Sequence, residues 1–171
     1  DDELDELLVR YEKELKRFDG IPQPHYTDLE YAIELDPYAR RLNYEVEVTM
    51  RNVDQVPIDS LHLDLPSIVD VEIDLPGADL VLNDADLNYR VYRLTSPLMP
   101  GAELKFMVKG KYSAKGFENS ISFLQLVNNG TFFNNMDLIP RIGYSSNSEL
   151  NDRNDRRKYG LPPKEPMQAL S

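Results

Sequence analysis

"LNYEVEVTMRN", residues 42–52, is the stretch that decides the fold. Leu42, Tyr44, Val46, Val48 and Met50 alternate with Asn43, Glu45, Glu47, Thr49 and Arg51. Successive side chains of a strand point to opposite faces. A period of two therefore predicts a half-buried antiparallel strand, apolar inward and polar toward solvent. Upstream, "DLEYAIELD" alternates in the same way through Leu29, Tyr31, Ile33 and Leu35. The "DPYARR" between the two runs carries the Asp and Pro of a turn, so the pair is read as a hairpin. Downstream, "SLHLDLP", "VDVEIDLP", "DLVLN", "LNYRVYRLT", "ELKFMVKGKYS" and "SISFLQLVNN" are further strand candidates. Turn signals separate them at Pro57, Pro66, Pro76-Gly77, Pro97, Pro100-Gly101 and Asn129-Gly130. Many short strands with Pro and Gly punctuation predict an all-β class, an antiparallel β-sandwich over residues 28–144.

The first 20 residues follow a different period. Leu4, Leu7, Leu8, Tyr11, Leu15 and Phe18 recur at steps of three and four, the stripe of an amphipathic helix. Acidic residues lead and basic ones follow, which suits the helix dipole. Gly20 is a stop signal, and Pro22 and Pro24 make residues 21–27 a linker. A membrane-surface helix would carry basic residues along its polar face; this one is mixed and acid-led, so it is expected to pack on a domain rather than insert in a membrane. From 145 to 171 the strand pattern dissolves. A basic cluster at Arg153, Arg156, Arg157 and Lys158 precedes "LPPKEP", and this region reads as an extended connector to a further domain.

A length of 171 residues accommodates one domain with a core and a helical appendage. The net charge of -11 argues against nucleic-acid binding, which needs clustered Lys and Arg. There is no apolar run of membrane-spanning length and no signal peptide. The start at Asp1 without Met suggests an excised fragment or a processed product. The absence of cysteine excludes disulfides, thiol catalysis and cysteine-ligated zinc.

Candidate chemistry is sparse. His62 lies in an alternating run whose Leu61 and Leu63 share the opposite face, so its ring is expected to point to solvent; His25 lies in the proline-rich linker. Neither belongs to an HExxH helix, and no metal or catalytic role is assigned to either. "NDADLN" places Asp84, Asp86 and Asn88 at calcium-loop spacing. Tyr89 stands where the loop needs Gly and Thr95 where it needs Glu, so an acidic strand-joining loop is the better reading. No G-x-S-x-G elbow accompanies "YSSNSEL". "NGT" at Asn129 matches a glycosylation acceptor and also a hairpin turn, and the turn is preferred.

"NNGTFFNNMDLIPRIGY", residues 128–144, packs Phe132, Phe133, Met136, Leu138, Ile139, Ile142 and Tyr144 among asparagines with no regular period. Together with "YAIELDPYARRLNYEVEVTMRN", "LHLDLP", "VDVEID" and "YRLTSPLMPGAELKFMVKGKYSAKGF", it gives the chain a resemblance to a known family. The order of these runs resembles the N-terminal β-sandwich of aminopeptidase N-like zinc metallopeptidases, including the Pro97-Leu98-Met99-Pro100-Gly101 turn before a long strand. The opening "YEKELKRFDGIPQP" and the tail "NGTFFNN-DLIPRIGY-EL-DR-DRRKYGLPP" resemble the bacterial subgroup in which that part is fused to an ABC-transporter-type permease. The resemblance implies that catalysis and zinc belong to a following domain, with no cofactor, metal or catalytic residue in this chain. It implies as partners that following peptidase-like domain and a preceding membrane permease segment, with an extracytoplasmic, membrane-attached location. In the family a "T-Q-F-E"-like strand runs toward the cleft. Here it is Thr131-Phe132-Phe133-Asn134, where Phe132 replaces the Gln and Asn134 the Glu. Phe132, Phe133, Asn134, Met136, Ile142 and Tyr144 are therefore expected at a domain interface or lining a cleft. The alternative is that Phe132 or Phe133 completes the sandwich core; adjacent residues of a strand point to opposite faces, so one is expected in each place. Two functions stand at this point: a non-catalytic accessory domain of an aminopeptidase-like protein, and an independent β-sandwich module binding peptide, carbohydrate or a transport partner.

Overall fold

The computed structural model describes residues 2–67, 69–113, 125–127, 130–132 and 138–164. The chain divides into two compact units, one of Pro22–Gly143 and one made from both termini, Asp1–Ile21 with Tyr144–Ser171.

The first unit is mostly β. Its strands are β1 (His25–Asp36), β2 (Arg41–Arg51), β3 (Ile58–Asp64), β4 (Asp70–Asp74), β5 (Ala78–Asp84), β6 (Tyr89–Leu98), β7 (Glu103–Ser113), β8 (Gln125–Val127), β9 (Gly130–Phe132) and β10 (Arg141–Ile142). Among the described residues they form two four-stranded antiparallel sheets, β1-β2-β7-β4 and β10-β3-β6-β5, and a β8–β9 pair. This is a β-sandwich architecture. Asp36 pairs with Arg41 at the end of the β1–β2 hairpin, and the Asp36 carboxylate accepts the amides of Tyr38 and Ala39 in the turn. That is the local bonding that makes Asp a turn residue. The "NDADLN" loop uses the same device: Asp84 accepts the amides of Asp86 and Leu87, and Asn88 takes the positive φ.

β2 fulfils its alternation: Leu42, Tyr44, Val46, Val48 and Met50 are all at most 2% exposed. They meet Phe106 and Val108 of β7, with Leu61, Leu63 and Tyr92 of the second sheet, in one core. Each fully buried side chain of this kind contributes about 1.5–3 kcal/mol relative to exposure. One position is set by close approach. Tyr44 lies opposite Gly110 of β7, and a Cβ on Gly110 would overlap the Tyr44 ring and hydroxyl. Only glycine leaves the ring room to cross the strand.

β3 departs from the expected pattern. Leu61, His62, Leu63 and Asp64 are all buried, so both faces of this strand are covered. The expectation that His62 points to solvent does not hold. Alternation identifies opposite faces but not whether the second face meets water.

In the second unit, α1 (Asp2–Leu15) continues as a 3-10 turn over Lys16–Phe18, and Gly20 takes a positive φ. Tyr11 and Leu15 of the expected stripe are buried, while Leu4 and Leu7 are exposed; Val9 and the carboxylate residue Glu12 are buried instead. No described helix is long and apolar enough to cross a membrane. The stretch from residue 145, expected to be extended, holds a 3-10 turn over Ser146–Ser148 and a short helix α2 (Arg153–Lys158). Capping explains it. Asp152 accepts the amides of Asn154 and Asp155, and Gly160 (φ +70) closes the other end, with Leu161 N–H on Arg156 O and Gly160 N–H on Arg157 O.

Candidate functional site

The sandwich unit is entered and left at one place, the outer edge of β3. Antiparallel pairing opposes Arg141 to Asp64 and Ile142 to Leu63, and the Gly143 amide then donates to the His62 carbonyl at 2.9 Å. The incoming chain completes this edge with a side chain. Gln23 Nε2 donates to the Ser60 carbonyl at 2.7 Å, and Gln23 Oε1 accepts the His62 amide at 2.8 Å. The primary amide thus supplies one donor and one acceptor, as a neighbouring strand would. Gly143 has a positive φ of 74°, and Gln23 Cγ would lie 3.7 Å from a Cβ placed there.

The outgoing segment is pinned at further points. Leu138 and Ile139 are buried in the core, with Leu138 0% exposed. Tyr44 Oη donates to the Leu138 carbonyl at 2.6 Å and Tyr26 Oη to the Pro140 carbonyl at 2.7 Å. Burial pushes the Tyr26 and Tyr44 hydroxyls well above the ordinary tyrosine range, so both remain donors. Arg141 pairs with Asp64 at 2.8 Å. Burial still outweighs that cation and raises the Asp64 carboxyl to about 6. The aperiodic apolar run therefore has a concrete role in its described part. It fills the sandwich core, takes polar bonds from two tyrosine hydroxyls and ends in the short pairing with β3.

His62 sits between two hydroxyls, with Nδ1 3.1 Å from Tyr89 Oη and Nε2 3.1 Å from Ser60 Oγ. A Ser–His distance of this size also occurs in nucleophile–base pairs. Here the ring is 2% exposed, which leaves a substrate no approach, and burial lowers its pKa toward the neutral form. The pair is a satisfied buried histidine.

Ile142, expected at an interface, packs against the sandwich core. Tyr144 stacks on Tyr11 at 5.1 Å between ring centroids and donates to Glu149 at 2.6 Å. Phe132 is the last residue of β9, whereas Phe133, Asn134 and Met136 lie outside the described residues. The structure brings no pair of these six together among the described residues. Of the residues that organise the site, Gln23, Tyr26, Ser60 and Arg141 are not singled out by sequence, and Tyr44 is only as an inward-facing core residue. The bonded groups lie far apart in the chain, 114 positions for the Tyr26 hydroxyl and the Pro140 carbonyl, and no local pattern links them.

On the outer face of the β1-β2-β7-β4 sheet an open groove of about 740 Å³ runs across the strands. Glu34, Asn43, Glu45, Glu72, Lys109 and Lys111 line it, with Lys109 and Glu45 3.6 Å apart. Both partners of that pair are about half exposed, so it is a solvated ion pair of small energy. Among the described residues no group of three His, Asp or Glu side chains is placed to hold a metal ion. No protein-family model and no curated protein matches this chain.

Proposed function

We propose that this chain is a non-catalytic accessory domain of a membrane-anchored, aminopeptidase-like protein, and that it positions a following catalytic-like domain. The observation that carries the reading is the joint attachment at β3, where Gln23 of the incoming chain and Arg141–Gly143 of the outgoing chain hold residues 60–64. A module that only binds a ligand needs its core. A domain that positions a neighbour must also fix the point at which its chain departs. The hydroxyl bonds of Tyr44 and Tyr26 to Leu138 and Pro140 serve that second need. The partners follow from the sequence resemblance: a peptidase-like domain after residue 171, a permease segment before residue 1, zinc in the former, and an extracytoplasmic location.

The test compares residues 1–171 with a protein that continues through the next domain, measuring bound zinc and aminopeptidase turnover. Zinc and turnover in the longer protein alone are the expected result. Absence of zinc from both would overturn the aminopeptidase reading and leave the independent binding module.

A further inference from the structure

We infer that residues 2–18 and 144–164 form an ionic latch, two stretches from opposite ends of the chain that order together, are keyed by Glu12 and Arg156, and release together while the sandwich stays folded.

Glu12 and Arg156 lie 144 positions apart, and both side chains are 3% exposed. Their contact is bidentate, with Nη1 on Oε2 at 2.8 Å and Nη2 on Oε1 at 2.9 Å. The same guanidinium donates from Nη1 to the Leu150 carbonyl at 2.7 Å and from Nε to the Pro162 carbonyl at 2.8 Å. One side chain thus ties α1, the loop before α2 and the proline segment after it. A planar fork with several fixed donors can do this, and an ammonium cannot.

A second buried carboxylate repeats the pattern. Glu149 accepts Tyr144 Oη at 2.6 Å and lies 3.2 Å from Lys16 and 3.3 Å from Lys164. Tyr11 closes the circuit by accepting the Ser145 amide at 3.0 Å and stacking on Tyr144. At the far end, Lys158 reaches Asp2 at 2.9 Å, and Lys13 donates to the Tyr159 carbonyl.

α2 has six residues and α1 fourteen, lengths that are marginal for isolated helices in water. The contacts are reciprocal: without residues 144–164, α1 loses Arg156, Tyr144 and Glu149 as partners, and without α1 the later stretch loses Glu12, Tyr11 and Lys16. Removing one partner inside the folded unit costs far more than the intact pair contributes. The two stretches should therefore gain and lose order as one.

The chain contains no cysteine, so two introduced cysteines label it cleanly. Glu6→Cys and Arg157→Cys are both at exposed positions. Nitroxides there should give one narrow, short distance distribution in the otherwise unchanged full chain. Adding Arg156→Met should broaden and lengthen it, raising the opening constant by roughly 100- to 5,000-fold. Arg156→Lys should open it to an intermediate degree. Amide protection of β2 and β7 is measured in the same samples and should not change. A narrow distribution that survives Arg156→Met would overturn the latch. So would a broad one in the parent, or loss of β2 and β7 protection along with the opening.

Discussion

The two units of this chain are held by different physics. Pro22–Gly143 is built around an apolar core in which β2 alone contributes five side chains at most 2% exposed. The terminal unit buries Val9, Tyr11, Leu15 and Leu150, and its distinctive interior contacts are charged: Glu12 with Arg156, and Glu149 with Tyr144, Lys16 and Lys164. Apolar burial is non-directional and tolerates small shifts of its members. A buried ion pair depends on geometry, and its loss leaves an uncompensated charge. The sandwich should accordingly yield gradually to substitution, and the terminal unit abruptly to a few.

The largest expected effect falls on the terminal unit. Arg156→Met should cost it about 3–5 kcal/mol, read as lost amide protection in α1 and α2. An effect below about 1 kcal/mol would show that the apolar contacts carry that unit instead. In the sandwich the sharpest single site is Gly110. Gly110→Ala should cost about 3 kcal/mol in urea denaturation, because the new methyl competes with the Tyr44 ring for the same space. Combining it with Tyr44→Ala should produce a smaller total than the sum of the separate losses, since the second change removes the clash.

The two units should also answer pH in opposite senses through one carboxyl each. Burial raises the Glu149 carboxyl, but its bonds to Tyr144, Lys16 and Lys164 win, so its pKa lies below the ordinary 4.5. A lowered carboxylate pKa adds stability that is present above 4.5 and lost as pH falls through the folded value. Protection in the terminal unit should therefore fall in acid, and Glu149→Gln should flatten that fall. Asp64 has the opposite sign. Its carboxyl is raised from 3.8 to about 6, so it penalises the folded sandwich as pH rises between those values. Asp64→Asn should be more stable than the parent by about 1–2 kcal/mol at pH 7, with the difference vanishing below about pH 4. Comparing variant with parent isolates Asp64 from His62 on the same strand, whose lowered pKa makes protonation below its ordinary 6.5 unfavourable to the fold. The smallest effect concerns a cap: Asp152→Ala should cost the terminal unit about 1 kcal/mol by releasing the amides of Asn154 and Asp155.

The same division explains what the sequence made legible. β2 and β7 could be read because each has one wet face and one dry face, and the β1–β2 turn because Asp36 bonds its own neighbours. His62 was misread because β3 is dry on both faces, which a Leu-His-Leu alternation does not reveal. The Leu138–Pro140 run lacks a period because its carbonyls are met by the Tyr44 and Tyr26 hydroxyls from distant strands, and a ladder begins only at Arg141. α2 did leave a local signal, Asp152 before it with Gly160 and Pro162 after it, but the charge-rich, proline-flanked composition pointed to a connector. The Glu12–Arg156 pair left no signal. A glutamate on an amphipathic helix ordinarily faces water, and only the three-dimensional partner makes it an interior residue.

The most direct test is native-state hydrogen exchange of the unaltered chain at rising urea concentration. Amides of α1 and α2 should share one opening free energy, lower than that of β2 and β7. If α1 and α2 open at different free energies, or both open only with the sandwich, the charged interior is not what joins the two ends of the chain.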